Sequence, residues 1–325
     1  MPDPSAISVL VTGANGSLGR KLVAHLAEAP WCSEVVALDL DAAAVEHPKV
    51  RAVAADLARR SSALDEAAAG VEAAVHLAAQ RPYPDATWAD GAASLDMTLN
   101  LVEALARAGG PKRLVFASSN HVMGGYKEEE VAPGALTTAL PPRPGTRADG
   151  GEPERAYAAA KLMGERVLAA RAERGGLTAV SLRIGWCQPG DNHPGTMTAS
   201  GIPRAADPTG GEPPVGSRSL HGLEGGGPTD PNGSAIRSGR TTRDPGPDTP
   251  EAARTLRWFR GMWLSNRDFL AAVSAALTAD ASAWPAPAIV VNAMSANAGM
   301  VWDLASTRAL IGYAPQDDSA REAGA

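Results

Sequence analysis

Cysteine is almost absent from this chain of 325 residues: there are two, Cys32 and Cys187, far apart in the sequence. They supply neither a disulfide framework nor metal-ligand spacing, and a reduced, cytoplasmic setting is expected. The six histidines, His25, His47, His76, His121, His193 and His221, also lack ligand spacing, which argues against a metal enzyme. Basic charge is not in excess, since 30 Lys and Arg face 36 Asp and Glu for a net charge of -6. Such a chain has no general attraction for nucleic acid or an anionic membrane. No apolar run approaches the roughly 18 residues of a membrane span. Met1 to Ala6 lacks the basic segment and apolar run of a signal peptide. The expectation is a soluble protein with neither nucleic-acid nor membrane partner. Aromatic residues are also few, and none occurs from Pro189 to Leu256.

The remaining composition, 44% hydrophobic, is enough for one large α/β domain, with or without a smaller annex. Short apolar runs at Ser8–Thr12, Val35–Leu38, Val50–Ala55, Ala73–Leu77, Arg113–Ala117 and Thr178–Ile184 read as buried strands. Between them, Ser17–Glu28, Ala92–Ala108 and Ala156–Arg174 carry helical spacing. This alternation predicts a doubly wound parallel sheet, a Rossmann-type α/β fold. The pattern fails in a Gly- and Pro-rich stretch and returns at Trp258. Ser265 is placed to cap a helix over Asn266–Thr278, Ala288–Asn292 reads as a late strand, and Val301–Leu310 as a late helix. The organisation expected is a dinucleotide-binding core at 1–187, an insertion at 188–256, and a small C-terminal substrate-binding part at 257–325. The insertion reads as a flexible segment or as a mobile lid over a cleft.

The first strand runs into Thr12-Gly13-Ala14-Asn15-Gly16-Ser17-Leu18-Gly19. Glycines at these positions permit a tight turn and let backbone N–H groups approach a pyrophosphate at a helix N-terminus. Asp39 closes the second strand, where a carboxylate accepts both ribose hydroxyls and repels a 2′-phosphate, favouring NAD over NADP; Leu40 lies beside it. Asp56 and Leu57 close the third strand, where the aspartate can reach adenine. Tyr157 and Lys161 stand at i and i+4, on one helix face. An ordinary tyrosine, with a pKa of about 10, is a poor base near neutrality. A neighbouring ammonium and the nicotinamide's positive charge favour the phenolate, which then takes a hydroxyl proton as hydride leaves carbon. Ser119, ending the fifth strand, can hydrogen-bond the reacting oxygen.

In order along the chain, the glycine turn, Asp39, His76-Leu77-Ala78-Ala79, Ser118-Ser119 and Tyr157 with Lys161 resemble the extended short-chain dehydrogenase/reductase (NAD-dependent epimerase/dehydratase) family. The resemblance implies catalysis by Ser119, Tyr157 and Lys161. It implies cofactor contacts from Gly13, Asn15, Gly16, Ser17, Leu18, Gly19, Asp39, Leu40, Asp56, Leu57, Leu77, Ala78, Ala79, Tyr157, Lys161 and Ile184. Phe116-Ala117-Ser118-Ser119-Asn120-His121, Leu182-Arg183-Ile184-Gly185, Trp263-Leu264-Ser265 and the stretch from Trp302-Asp303 to Gly312-Tyr313 are similar to uronate dehydrogenases, which oxidise the anomeric carbon of a hexuronate with NAD. That likeness implies substrate contacts from Ser118, Ser119, Asn120 and His121. The chain departs from it at the substrate positions. Trp186 stands where a small polar residue is usual, Arg81 replaces a serine, and the carboxylate-binding arginine is displaced by the insertion, with Arg260 its first candidate and Arg257 its rival. The function implied is NAD-dependent oxidation of a hydroxyl of a sugar or sugar acid, with a homodimer possible for this fold. Two alternatives stand beside it: a nucleotide-sugar epimerase or dehydratase holding NAD tightly, and a dinucleotide-binding regulatory protein without turnover.

Overall fold

The computed structural model describes residues 6–42, 45–80, 87–109, 113–145, 152–188, 190–198 and 249–322. The middle of the Gly- and Pro-rich segment, 199–248, and the Arg81 position lie outside the described residues.

Seven strands form one sheet: β1 (Ile7–Thr12), β2 (Cys32–Asp39), β3 (Val50–Ala54), β4 (Ala73–His76), β5 (Arg113–Ser119), β6 (Thr178–Ile184) and β7 (Ala288–Ala293). Their order is β3-β2-β1-β4-β5-β6-β7, and every pairing is parallel. The strands are apolar on both faces because helices cover both. Helix α1 (Ser17–Glu28) packs Leu22, Val23 and Leu26 into the core on one face. On the other face lie α2 (Ser62–Ala68), α3 (Trp88–Arg107) and α4 (Glu152–Ala172), contributing Leu64, Leu101, Leu105 and Leu168. Winding starts at β1 and proceeds outward in both directions, so the chain reverses between β1 and β4. A ligand cleft belongs at the carboxyl ends beside that switch point.

After β6 come α5 (Pro250–Gly261), α6 (Asn266–Thr278), α7 (Ala305–Ile311) and α8 (Ser319–Glu322). Helix α6 has the cap expected: the Ser265 hydroxyl accepts from Asp268 N. It returns to the α1 face through Phe269, Ala272 and Val273. Helix α5 begins at Pro250, earlier than the aromatic signal at Trp258, because Thr249 caps it and Pro250 occupies its first turn. It therefore crosses the boundary expected at 256/257. Helix α7 starts later than Val301: Trp302 is held in an extended bridge to Leu136, and the Asp303 carboxylate accepts from Ala305 N. A third apolar cluster, including Val122, Met123, Tyr126, Trp258, Met294 and Trp302, joins α5 to the segment following β5. Among the described residues no helix is long and apolar enough to cross a membrane.

Candidate active site

The turn after β1 is built by close backbone approach. Gly13 has φ +71°, and a Cβ there would lie 2.7 Å from Ala78 N. A Cβ at Gly19 would lie 2.0 Å from the Gly13 carbonyl oxygen. These two glycines seat the first turn of α1 on the turn and on the strand end Leu77–Ala78. Gly16 is the N-cap residue of α1 and no side chain caps that end, so the N–H groups at Ser17 and Leu18 remain for an anion. The Asp39 carboxylate, at the end of β2, accepts from Asn15 N at 2.8 Å and from Leu40 N at 2.7 Å. Leu40 beside it is 56% exposed, an open apolar surface. A glycine cradle that a Cβ would fill, an open helix N-terminus and a fixed carboxylate together fit an adenine dinucleotide.

Two expected cofactor contacts sit differently. Leu57 is buried in the α2–α3 core, and its carbonyl accepts from Asn100 Nδ2 at 2.9 Å, so its side chain is taken up in packing. The Asp56 carboxylate caps its own turn, accepting from Ala58 N at 2.9 Å. Leu77 packs against the α1 core, while Ala78 and Ala79 are half-buried along the β4 end. Ile184, also half-buried, ends β6 with its carbonyl bound by Asn120 Nδ2 at 3.1 Å.

The side chains expected to be catalytic do converge. Ser119 ends β5, its hydroxyl accepts from His121 N at 3.2 Å, and it lies near enough to Tyr157 to oppose the upward shift of the phenol. His121 meets the Tyr157 ring edge-on, centroids 5.5 Å apart. Lys161 Nζ lies 5.6 Å from the Tyr157 ring centroid and donates to the Ala117 carbonyl at 2.7 Å. The electrostatics define the resting state of the pair. Burial pushes the Tyr157 phenol up to about 12, against the pull of Ser119; the lysine does not by itself produce a phenolate. The Lys161 ammonium is itself desolvated and lowered to about 8. Its hydrogen bond to Ala117 ties it to the strand.

On the substrate side, Asn120 is 4% exposed and its Oδ1 has no protein partner, an acceptor left for something else. Ser118 is a correction: it is fully buried, and its hydroxyl donates to Glu165 at 2.6 Å, so it points into the α4 interface and not at a substrate. Trp186 bridges to Trp263 and packs edge-on against Phe259 at 5.0 Å, serving the wall of the third cluster. Arg260 is exposed in the last turn of α5. Its rival Arg257 lines a surface depression between α5 and Lys127–Val131 that none of Ser119, Asn120, His121 or Tyr157 reaches.

Three groups to which the sequence reading gave no role hold this site together. His76 is fixed between Thr12 Oγ1 at 2.7 Å and Thr98 Oγ1 at 3.1 Å, and burial keeps it neutral, near 3. Asn192, at φ +59°, accepts from Gln188 N and donates to the Leu264 carbonyl, pinning the chain after β6 to the α5–α6 turn. Glu165 and Arg183 form a buried pair beneath Ser118. The sequence offered one sign, Leu182-Arg183, a charge inside an otherwise apolar strand.

Comparison with known proteins agrees with this arrangement. The family model for the NAD dependent epimerase/dehydratase family matches residues 9–208. An L-arabinose 1-dehydrogenase (NAD(P)(+)) of Haloferax volcanii is 30% identical over 325 residues, covering 96% of this chain and 97% of that protein. A uronate dehydrogenase of Pseudomonas syringae pv. tomato is 32% identical over 184 residues, 54% of this chain and 58% of its own length. Among solved structures, the uronate dehydrogenase of Agrobacterium tumefaciens superposes with TM-score 0.61 at 24% identity, over 98% of this chain and 87% of that one. That likeness speaks to the fold alone.

Proposed function

Because the chain belongs to the NAD-dependent epimerase/dehydratase family, we propose that it is an NAD-dependent dehydrogenase that oxidises a hydroxyl, the anomeric one first of all, of a sugar or sugar acid. One observation carries the reading: Ser119, Tyr157 and Lys161 come together at the carboxyl ends of the strands, with Lys161 Nζ 5.6 Å from the Tyr157 ring and His121 touching both Ser119 and Tyr157. The activities of the relatives, on L-arabinose and on uronates, support the substrate class.

NAD bound along this cleft supplies a hydride acceptor and a positive charge. The Gly13–Gly19 turn receives the pyrophosphate, Asp39 the adenosine ribose, and Leu40 the adenine face. Ser119 donates to the reacting oxygen and holds it beside Tyr157 Oη. Tyr157 takes the hydroxyl proton, and this is where its elevated resting pKa matters. Burial keeps the resting phenol protonated, and a nicotinamide cation bound beside it would favour the phenolate. Lys161 supports the phenolate from below and faces the nicotinamide ribose. Asn120 and His121 orient the sugar, Trp186 narrows the site, and Arg260, with Arg81 outside the described residues, is the cation assigned from the sequence to an anionic substituent. Leu99 and Met163, exposed on α3 and α4, suit a second copy of the chain, giving a homodimer in the cytoplasm.

The test is NADH formation across L-arabinose, other neutral aldoses, glucuronate, galacturonate, glucose 6-phosphate and nucleotide sugars. One of the free sugars should reduce NAD with release of NADH, and Tyr157→Phe should lower kcat by about 10²–10⁴-fold with NAD affinity retained. Retention of dinucleotide through purification, with turnover only of nucleotide sugars, would replace this reading by the epimerase one.

A further inference from the structure

We propose that Glu165 is a positioning residue: its carboxylate, gripped by Arg183 and Ser118, sets the height and register of α4 over β5 and so places Tyr157 and Lys161 against Ser119. The inference rests on the catalytic roles proposed above. Tyr157, Lys161 and Glu165 recur every four residues, so they form one stripe along α4. The first two carry the chemistry and the third is buried, 5% exposed. Its Oε1 accepts from Ser118 Oγ at 2.6 Å and from Arg183 Nε at 2.9 Å, and its Oε2 accepts from Arg183 Nη2 at 2.9 Å. Arg183 on β6 pairs in register with Ser118 on β5. The carboxylate therefore ties α4 to two strands at once, one residue before Ser119. Lys161 adds a tether at Ala117, so consecutive residues of β5 are bound by consecutive turns of α4.

The approach is also unusually close. A Cβ at Gly164 would lie 2.5 Å from the Phe116 ring, so α4 is allowed down onto β5 here and held there. A buried ion pair is a poor device for stability, because an apolar pair of similar size often serves as well. What a two-pronged guanidinium–carboxylate contact adds is direction, since sliding or rotation of the helix breaks both prongs. Misplacing reactive groups by about 1 Å costs on the order of 10²-fold in rate.

The decisive variant is the double replacement Glu165→Met with Arg183→Leu, which removes both charges and keeps apolar volume; Ser118→Ala is its milder companion. Titratable groups around Tyr157 are Lys161 on its own helix, His121 and Cys187, with His76 facing Lys161; none is changed by these substitutions. Expected for the double variant are a thermal midpoint near the parent's, NAD affinity within about threefold, kcat lower by about 10–100-fold, and a displaced pH profile of kcat. Ser118→Ala should move in the same direction by less. Competitive acylation of Lys161 in NAD-free protein should show its titration moving from about 8 toward that of an ordinary lysine, as water reaches a loosened helix. Parental kcat, pH profile and Lys161 titration in the double variant would overturn the proposal, as would a kcat loss that merely tracks lost NAD affinity or lost fold. If the parent oxidises no sugar, the dehydrogenase reading falls while the Lys161 titration still decides the positioning role.

Discussion

Replacing Gly19 by alanine tests the cofactor turn with a single methyl group. The added Cβ would meet the Gly13 carbonyl oxygen at 2.0 Å and the Ala14 Cα at 2.8 Å. Contacts below 3.0 Å essentially never occur, so an opening of at least about 1 Å is required between α1 and the turn. Helix α1 cannot simply retreat, because Leu22, Val23 and Leu26 behind it are almost completely buried. Overpacking of this kind costs about 1–3 kcal/mol, and a similar loss carried into binding weakens NAD by roughly 5- to 150-fold. Both stability and affinity should therefore fall, measured by urea unfolding and by quenching of intrinsic fluorescence on NADH titration. Gly16→Ala is the contrast: its Cβ would have the Gly13 oxygen at 3.2 Å as its nearest neighbour. It should leave stability nearly unchanged and still impede the pyrophosphate. A Gly19→Ala protein with parental melting and parental NAD affinity would show that the turn is not the phosphate cradle.

Two further outcomes follow from the site. Lys161 is lowered from 10.5 to about 8 by burial, so between those values the unfolded chain binds the proton that the folded one has lost. Stability from this group rises with pH across that window, by up to about 3 kcal/mol at 1.36 kcal/mol per pKa unit. Tyr157, raised from 10.0 to about 12, acts oppositely above pH 10.0. Chemical denaturation of parent and Lys161→Met at several pH values should show the parent gaining stability relative to the variant from pH 8 to 10; parallel curves would refute the assigned burial. For Asp39, the parent should prefer NAD, and Asp39→Ser should raise the NADP to NAD ratio of kcat/KM by about tenfold or more, since a buried-edge like-charge clash is worth several kcal/mol. Equal use of both cofactors by the parent would sink the reading of this carboxylate.

The sequence disclosed most of the sheet because its strands are covered on both faces. Val9–Val11, Val35–Leu38 and Leu114–Phe116 are continuous apolar runs for that reason. Short elements escaped it. Helix α2 has one large buried residue, Leu64, and two buried alanines, too little for a helical period. Helix α5 was signalled by Thr249-Pro250-Glu251, a cap followed by proline and an acid, within a stretch whose composition hid it. The catalytic positions were legible as motifs, since spacing on one helix needs no tertiary knowledge. The environment of those positions was not. Whether Ser118 faces α4 or the cleft depends on Glu165, and a glutamate on a helix reads as a solvated face until Arg183 arrives from β6. The burial that raises the phenol was not legible for the same reason: the lysine is one turn away in sequence, but the groups around the phenol include Ser119 of β5, His121 and Cys187.

The outermost strand beside β6 is contributed by residues 288–293, from beyond the long Gly- and Pro-rich stretch. The segments before and after that stretch are consequently woven into a single hydrogen-bonded sheet and cannot be cut apart like beads. A fragment ending at Cys187 would leave β6 with a naked row of amide and carbonyl groups, an invitation to edge-to-edge aggregation. Any lineage that reshapes the C-terminal part must do so without disturbing the last rung of the sheet.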